Sequence, residues 1–400
     1  MMLVIFGSLQ DCPPDVKELI RTLGSEDVAE REQATRKLKE LGEAAIPELR
    51  KLTEDRDAEV AARARELVRD LSHVPGAVQA DLIWLATHQQ EDGSWGGGHD
   101  DYAAGLTGWA VLAFLAAGVT PASHERTEGL FFGETVRKGL RYLLTKQSPE
   151  GCLAPRNGSK YILSHAAATL ALCEASRLAD GRHKVAAKKA VDFLLAAQNP
   201  GKGWRYSLRC GDNDTHITLI AVLALKAAEH AGLAVPASAY DGAKAWLEEV
   251  ADDEGRTGYT YKGTRRYVPS PRGPREHPES LTAMGVLLGS LLDPRRANPK
   301  GAERLSVAPP DWSADHVDFY YWFLGTLALL WHEGPSATRF LAWRSELKKV
   351  LLAHVHPEKT WEGLEPHHSE GGTAYAVTMH ALALQTPSRH VTVLLRASRP

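Results

Sequence analysis

Cysteine is scarce: there are four in 400 residues, Cys12, Cys152, Cys173 and Cys210, and no two form a Cys-x-x-Cys pair. This excludes a disulfide framework and a cysteine-rich zinc module. Neither sign of charge is in excess, and a formal net charge of −3 gives no electrostatic footprint for nucleic acid or an anionic membrane. No run approaches the ~18 apolar residues a membrane-spanning helix requires. The apolar start, Met1–Gly7, is too short for a signal core and has no basic residue before it. As written the chain reads as soluble and cytoplasmic, or as exported if the start is incomplete. There is no Cys-x-Glu-Gln thioester, Gly-rich phosphate loop, His-Glu-x-x-His or Gly-x-Ser-x-Gly. The chemistries that depend on those arrangements are set aside with them.

What is present is helical. The chain is long enough for two domains. All 17 histidines lie at or after His73, and residues 15–72 contain no aromatic side chain, so no chemistry is placed there. Val16, Leu19, Ile20 and Leu23 make an apolar stripe that stops at Gly24. Ser25 is the expected cap of the next helix, with Val28, Ala34, Leu38 and Leu41 inward and Gly42 at its end. Ala45–Leu52, with Pro47 in its first turn, and Ala58–Leu71 follow. Short helices, glycine breaks and an early proline resemble HEAT repeats. That resemblance implies a surface for a protein partner. The expected division is a tail at 1–14, HEAT-like helices at 15–72, a second domain at 73–390 and a tail at 391–400.

In the second domain a turn recurs after each apolar helix. Gln90 is followed by Glu-Asp-Gly-Ser-Trp95, Gln147 by Ser-Pro-Glu-Gly-Cys152, and Gln198 by Asn-Pro-Gly-Lys-Gly-Trp204. Looser copies run from Glu249 to Tyr259 and from His356 to Trp361. Helices with one charged face are expected at 76–89, 134–147, 184–198, 239–250 and 337–355. Helices apolar nearly all round are expected at 103–117, 161–178, 214–231, 278–292 and 372–386. A further pair, Gly301–Val307 and Asp315–Leu330, makes six. Half-exposed helices alternating with buried ones predict an inner ring inside an outer one.

The Gln-x-x-x-Gly-x-Trp turn resembles the QW-type repeat of squalene and oxidosqualene cyclases and of protein prenyltransferase β subunits. The resemblance covers about residues 76–388 and implies an all-α fold, an (α/α)6 toroid. Gln can bond backbone at a helix end, Gly permits the tight exit and Trp covers the seam, so the motif reads as structural.

In the cyclases the general acid lies in an Asp-x-Asp-Asp motif before an inner helix. Here the matching stretch is Gly211-Asp-Asn-Asp-Thr-His216. Asp214 matches the last Asp, while Asn213 stands where the proton donor belongs. Protonating an alkene needs a strong carboxylic acid, which an amide cannot supply. Cys210, Asp212 and His216 are metal-ligand types, but their order differs from the prenyltransferase zinc set, and no metal or other cofactor is assigned.

If the inner helices run parallel, their N-termini share one mouth. His99, Asp100, Asp101, His165, Asp212, Asp214, His216, His277, Glu279, Asp315, His316, Asp318, His367, His368 and Glu370 fall near those ends. Aromatic residues at Phe319–Phe323, including Tyr321 and Trp322, with Trp109 and Tyr375, are candidates to line the lumen. The loop Arg256–Arg275, with Arg256, Lys262, Arg265, Arg266, Arg272 and Arg275, is read as a solvated loop or, alternatively, as a cover of the mouth that holds an anion such as a diphosphate or a sugar acid. The expected function is a toroid that binds a hydrophobic small molecule or a polypeptide at its mouth, without the cyclase acid. The alternative is an enzyme acting on an isoprenoid or a carbohydrate through Asp214 and His216, with or without a metal.

Overall fold

The computed structural model describes residues 14–41, 45–53, 55, 57–72, 76–96, 100–124, 126–156, 160–179, 181–264, 267–268, 275–276, 278–293, 298–313, 317–335, 337–354 and 368–386. The chain divides into two units, Met1–Pro75 with Ser398–Pro400, and Gly76–Ala397.

The first unit holds α1 (Pro14–Thr22), α2 (Val28–Leu41), α3 (Ile46–Lys51) and α4 (Ala58–Ser72). Val16, Leu23, Ala34, Leu38, Ala45, Leu49 and Leu67 form its core. Two details depart from the expected pattern. The residue that caps α2 is Asp27, whose Oδ1 accepts from Ala29 N at 2.7 Å. Ser25 sits one turn too early to cap and instead donates to Glu30 Oε2 at 2.6 Å. Val28, expected inward, is 53% exposed because the helix begins at that residue and its face turns outward there.

The second unit alternates two kinds of helix. One set is α5 (Gly76–Thr87), α7 (Phe132–Lys146), α9 (Lys184–Ala197), α11 (Ala237–Val250), α13 (Pro299–Ser306) and α15 (Thr338–Ala353). The other is α6 (Asp100–Ala116), α8 (Tyr161–Leu178), α10 (Thr215–His230), α12 (Pro278–Leu292), α14 (Phe319–Glu333) and α16 (His368–Leu384). In the second set each helix packs on the next, from α6 through α16, and α16 packs back on α6. That closes a ring. Of the first set, α5, α9, α11, α13 and α15 each pack on the two ring helices that flank them, α5 on α16 and α6 among them, while α7 packs on α6 and on α5. The unit is therefore an all-α toroid of the α/α kind, with six helix pairs among the described residues.

The inner helices run in one direction. Gly105 lies beside Ser164 and Gly108 beside Ala167 and Ala168, so α6 and α8 advance together. A Cβ at Gly108 would stand 2.8 Å from the Ala167 carbonyl oxygen, which shows how closely the two backbones approach. Tyr320 near the start of α14 meets Tyr375 on α16, and Gln385 just past α16 meets Ala113 near the end of α6. Small residues on the inner ring permit this convergence.

Two short antiparallel ribbons were not foreseen. One pairs β1 (Arg126–Thr127) with β2 (Leu130–Phe131). Its two-residue turn, Glu128-Gly129, has φ of +48° and +87°, the left-handed pair that matches hairpin twist. The other pairs β3 (Tyr267–Val268) with β4 (Arg275–Glu276), within the stretch read from the sequence as a loop. Helix α16 starts earlier than expected because Gly372, at φ +62°, joins an extra turn to it across a kink.

Candidate functional site

The repeated turn sets where the inner helices begin. Gln89 Nε2 donates to Gly93 O at 2.9 Å and to Thr135 O, in the next outer helix, at 3.0 Å. Gln147 does the same with Gly151 O and Ala186 O, and Gln198 with Lys202 O and Ala239 O. One amide thus spends both protons joining its own turn to the following repeat. The glutamine that does this in the first copy is Gln89. Gln90 instead accepts from Ser94 Oγ at 2.9 Å, because it lies one residue too far along to reach the next helix. Trp95 Nε1 donates to Leu85 O at 2.8 Å and Trp204 Nε1 to Leu194 O at 2.7 Å, each beneath its own outer helix. The tryptophans are packing residues.

The glycine of this turn is constrained. Gly151 has φ +104°, and a Cβ there would collide with the Lys189 carbonyl oxygen of α9. Gly151→Ala is expected to cost about 2–4 kcal/mol, from left-handed strain plus overpacking against rigid backbone. Urea denaturation measures it; a loss under about 0.5 kcal/mol would show that the turn relaxes freely.

The same turn explains His165. Trp95 N donates to Thr107 Oγ1 and Trp204 N to Thr218 Oγ1. In the second repeat the equivalent amide, Leu153 N, donates to His165 Nδ1 at 3.1 Å. That bond leaves the proton on Nε2, which donates to Ala190 O at 3.1 Å. Edge-to-face contact with Phe193 completes the packing where this repeat lacks a tryptophan. His165 is fully buried, and burial pushes its imidazole down to about 3. Sequence reasoning placed it at the mouth; the structure places it in the seam between α8 and α9, with both ring nitrogens engaged.

Aromatic rings of the inner helices meet across the axis, His216 and Tyr320 in the first turns of α10 and α14 and Trp109 in the middle of α6. Trp109 on α6 stands edge-on to Phe323 on α14, centroids 6.1 Å apart. His216 on α10 packs on Tyr320 of α14 at 5.3 Å, and Tyr320 lies 6.5 Å from Tyr375 on α16. The helices α6, α10 and α14 are not ring neighbours, so these contacts make a floor across the lumen. Above it the rim carries Tyr102, Lys160, Arg205, Tyr206 and Tyr259. Lys160 Nζ sits 5.8 Å from the Tyr102 ring and 5.7 Å from the Tyr206 ring, and the Arg205 guanidinium lies 5.4 Å from Tyr206. Sequence reasoning missed these rim residues and Phe323's partnership. Lys160, Arg205, Tyr206 and Tyr259 precede their helices in turns that carry no helical period. Tyr320 and Phe323, three apart, share one helix face, which the periodicity of α14 would have separated from Tyr321 and Trp322.

The other expected site residues divide. Asp214 is fully buried and caps α10, its Oδ1 accepting from Ile217 N at 2.7 Å. Asp318 likewise caps α14, accepting from Tyr321 N at 2.8 Å. Asp212 stands exposed and pairs with Arg205 at 3.2 Å. Cys210 is exposed on the same loop, whereas His216 turns in to Tyr320, so this trio does not converge on one point. Tyr321 and Trp322 point away from the lumen: Tyr321 donates to Ala308 O and packs on Trp343, and Trp322 packs on Trp312. Burial, with Glu279 and Asp318 nearby, raises the Tyr321 phenol far above its ordinary value. His99, His277 and His316 lie outside the described residues, as does the side chain of Asp101. Among the described residues no three His, Cys, Asp or Glu side chains gather as a metal site, and no helix is long and apolar enough to cross a membrane.

No family model matches the chain. A segment of 96 residues is 33% identical to the squalene–hopene cyclase of Zymomonas mobilis subsp. mobilis, covering 21% of this chain and 13% of that protein. The chain thus spans far less than two thirds of that relative. An inactive variant of the α-1,6-mannanase GH76A of Salegentibacter sp., solved with α-1,6-mannotetrose, superposes with a TM-score of 0.50 at 10% identity, over 78% of this chain and 98% of that one. The type II terpene cyclase MstE from Scytonema, solved with merosterolic acid A, gives a TM-score of 0.46 at 14% identity, over 78% and 97% of the two chains. These likenesses concern the α/α toroid.

Proposed function

We propose that the toroid binds a hydrophobic ligand, a small molecule or an apolar stretch of polypeptide, at the inner-helix mouth, and does not cyclise polyenes by protonation. The observation that carries this reading is the aromatic floor built by Trp109, His216, Tyr320, Phe323 and Tyr375 from four inner helices. Rings converging from four inner helices offer the apolar and edge-on contacts through which a hydrophobic ligand is recognised. Against cyclisation stands Asn213, whose Oδ1 accepts from Asn199 Nδ2 at 3.0 Å and so serves to hold the turn. Asp214 is occupied in capping. The α1–α4 unit is proposed as a second contact surface, for a protein partner.

Nile red, a neutral apolar dye, is expected to bind the full chain at one site with enhanced emission. Trp109→Ala and Tyr320→Ala should each weaken it about tenfold, the loss of one buried aromatic contact. Squalene should be returned unchanged. Absence of dye binding, or equal affinity in both variants, would overturn the binding reading, and a cyclised product would overturn its second half.

A further inference from the structure

The rim holds a hydrogen-bond chain whose direction is set from below. Tyr206 Oη lies 2.5 Å from Tyr259 Oη, and Tyr259 Oη lies 3.5 Å from Asp214 Oδ2. Asp214 is a buried helix cap with Arg205 Nε 4.0 Å from its Oδ2. Asp214 Oδ1 accepts from the Ile217 amide and its Oδ2 accepts from Tyr259 Oη. With the Tyr259 proton given to Asp214, Tyr206 donates to Tyr259. This order commits the Tyr206 proton inward. The half-buried Tyr206 oxygen keeps a lone pair and has no further hydrogen-bond partner among the described residues.

The Lys160 ammonium and the Arg205 guanidinium both stand over the Tyr206 ring. A ligand group that reaches the Tyr206 oxygen lies within the field of both cations. An ammonium can donate to Tyr206 but is repelled by both cations. A carboxylate is drawn to the cations but faces the Tyr206 lone pair, with Asp214 behind it and Asp212 already holding Arg205. A neutral hydroxyl donates to Tyr206 and carries no charge for either the cations or the carboxylates to repel.

We propose that the Tyr206–Tyr259 pair is the polar anchor of the mouth and that the ligand is an apolar molecule bearing a neutral hydroxyl. Its hydrocarbon body lies over the Trp109–Tyr320 floor. This rests on the apolar-mouth reading above.

The test displaces Nile red from the full chain at neutral pH with decanol, decanoate and decylamine, below their micellar concentrations. Decanol should displace the dye at about a tenfold lower concentration than either charged analogue, the worth of one well-made hydrogen bond. Tyr206→Phe keeps the ring and should bring the three to within about twofold of one another. Tyr259→Phe removes the inward acceptor and frees the Tyr206 proton to donate outward, so decanoate should gain on decanol. Dye binding with no preference for decanol, or a ranking unmoved by both variants, overturns this inference and leaves the apolar mouth standing. Failure of the dye to bind overturns both.

Discussion

Asp81→Ala is expected to destabilise the toroid by about 3–5 kcal/mol, the cost of leaving one member of a buried pair alone. Asp81 Oδ2 lies 2.6 Å from His380 Nδ1, and both side chains are fully buried. Desolvation pushes the Asp81 carboxyl above its ordinary range, and the nearby His380 pulls it back in part. The pair joins α5, the first outer helix, to α16, the last inner one, which is the seam where the ring closes. Gln385 strengthens the same seam by donating to Ala113 O at 3.1 Å. Other seams described above are held by Gln amides between consecutive repeats. Here the partners are 299 residues apart, so chain continuity gives no help and a directional polar contact sets the register. Urea denaturation gives the loss. Amide exchange should show α5 and α16 opening before α8 and α10. A double-mutant cycle with His380→Ala should return a coupling above about 1.5 kcal/mol; a coupling near zero would remove the pair from the closure.

The second large effect concerns acid. His165 has a folded value of about 3 against an ordinary 6.5. The unfolded chain therefore takes up a proton that the folded chain refuses across that window. The sign follows: the unfolded state binds more protons between the two values, so stability rises with pH there. The contribution is complete above the ordinary imidazole value and is lost as pH falls toward the folded one. At about pH 4.5 the expected loss from this group is roughly 2–3 kcal/mol. His165→Thr supplies the hydroxyl acceptor that Thr107 and Thr218 offer in the first and third repeats. It should cost about 1–3 kcal/mol at neutral pH through the vacated ring volume. It should also flatten the acid slope relative to the wild-type chain. His183 and His230, whose imidazoles burial also lowers, remain in both proteins, so the difference in slope isolates His165. Identical slopes in the two proteins would show that the imidazole protonates without unfolding the seam.

Much of the architecture could be read in the residues. The α8 stretch Ala166-Ala-Ala-Thr-Leu-Ala-Leu-Cys173 is apolar on every face and is buried on every face. The α7 stretch alternates charge and apolar residues at helical spacing and is half exposed. Such patterns report burial directly, because one helix face cannot hide charge. The repeated Gln and Gly reported the turn, because few residues fit left-handed backbone against a neighbouring carbonyl. The candidate site was less legible. Histidine at an inner-helix entrance suggested a mouth, but His165 turned out to replace a threonine in the seam. Within the run Phe319–Phe323, Tyr320 and Phe323 meet rings of other inner helices while Tyr321 and Trp322 meet Trp343 and Trp312, because neighbouring helical residues differ by about 100° in direction.

From composition and periodicity came the α-helical class, the alternation of exposed and buried helices and the turn that links them, while the place of Asn213 came from the resemblance of Gly211–His216 to the cyclase motif. Each depends on interactions within a few residues or on a single side chain's chemistry. The tertiary structure supplied the meeting of Tyr206 with Tyr259, of Trp109 with Phe323 and of Asp81 with His380. Those contacts depend on how far each helix is rotated about its axis and on the ring closing upon itself. Neither quantity is local, because both are set by the packing of all the repeats together.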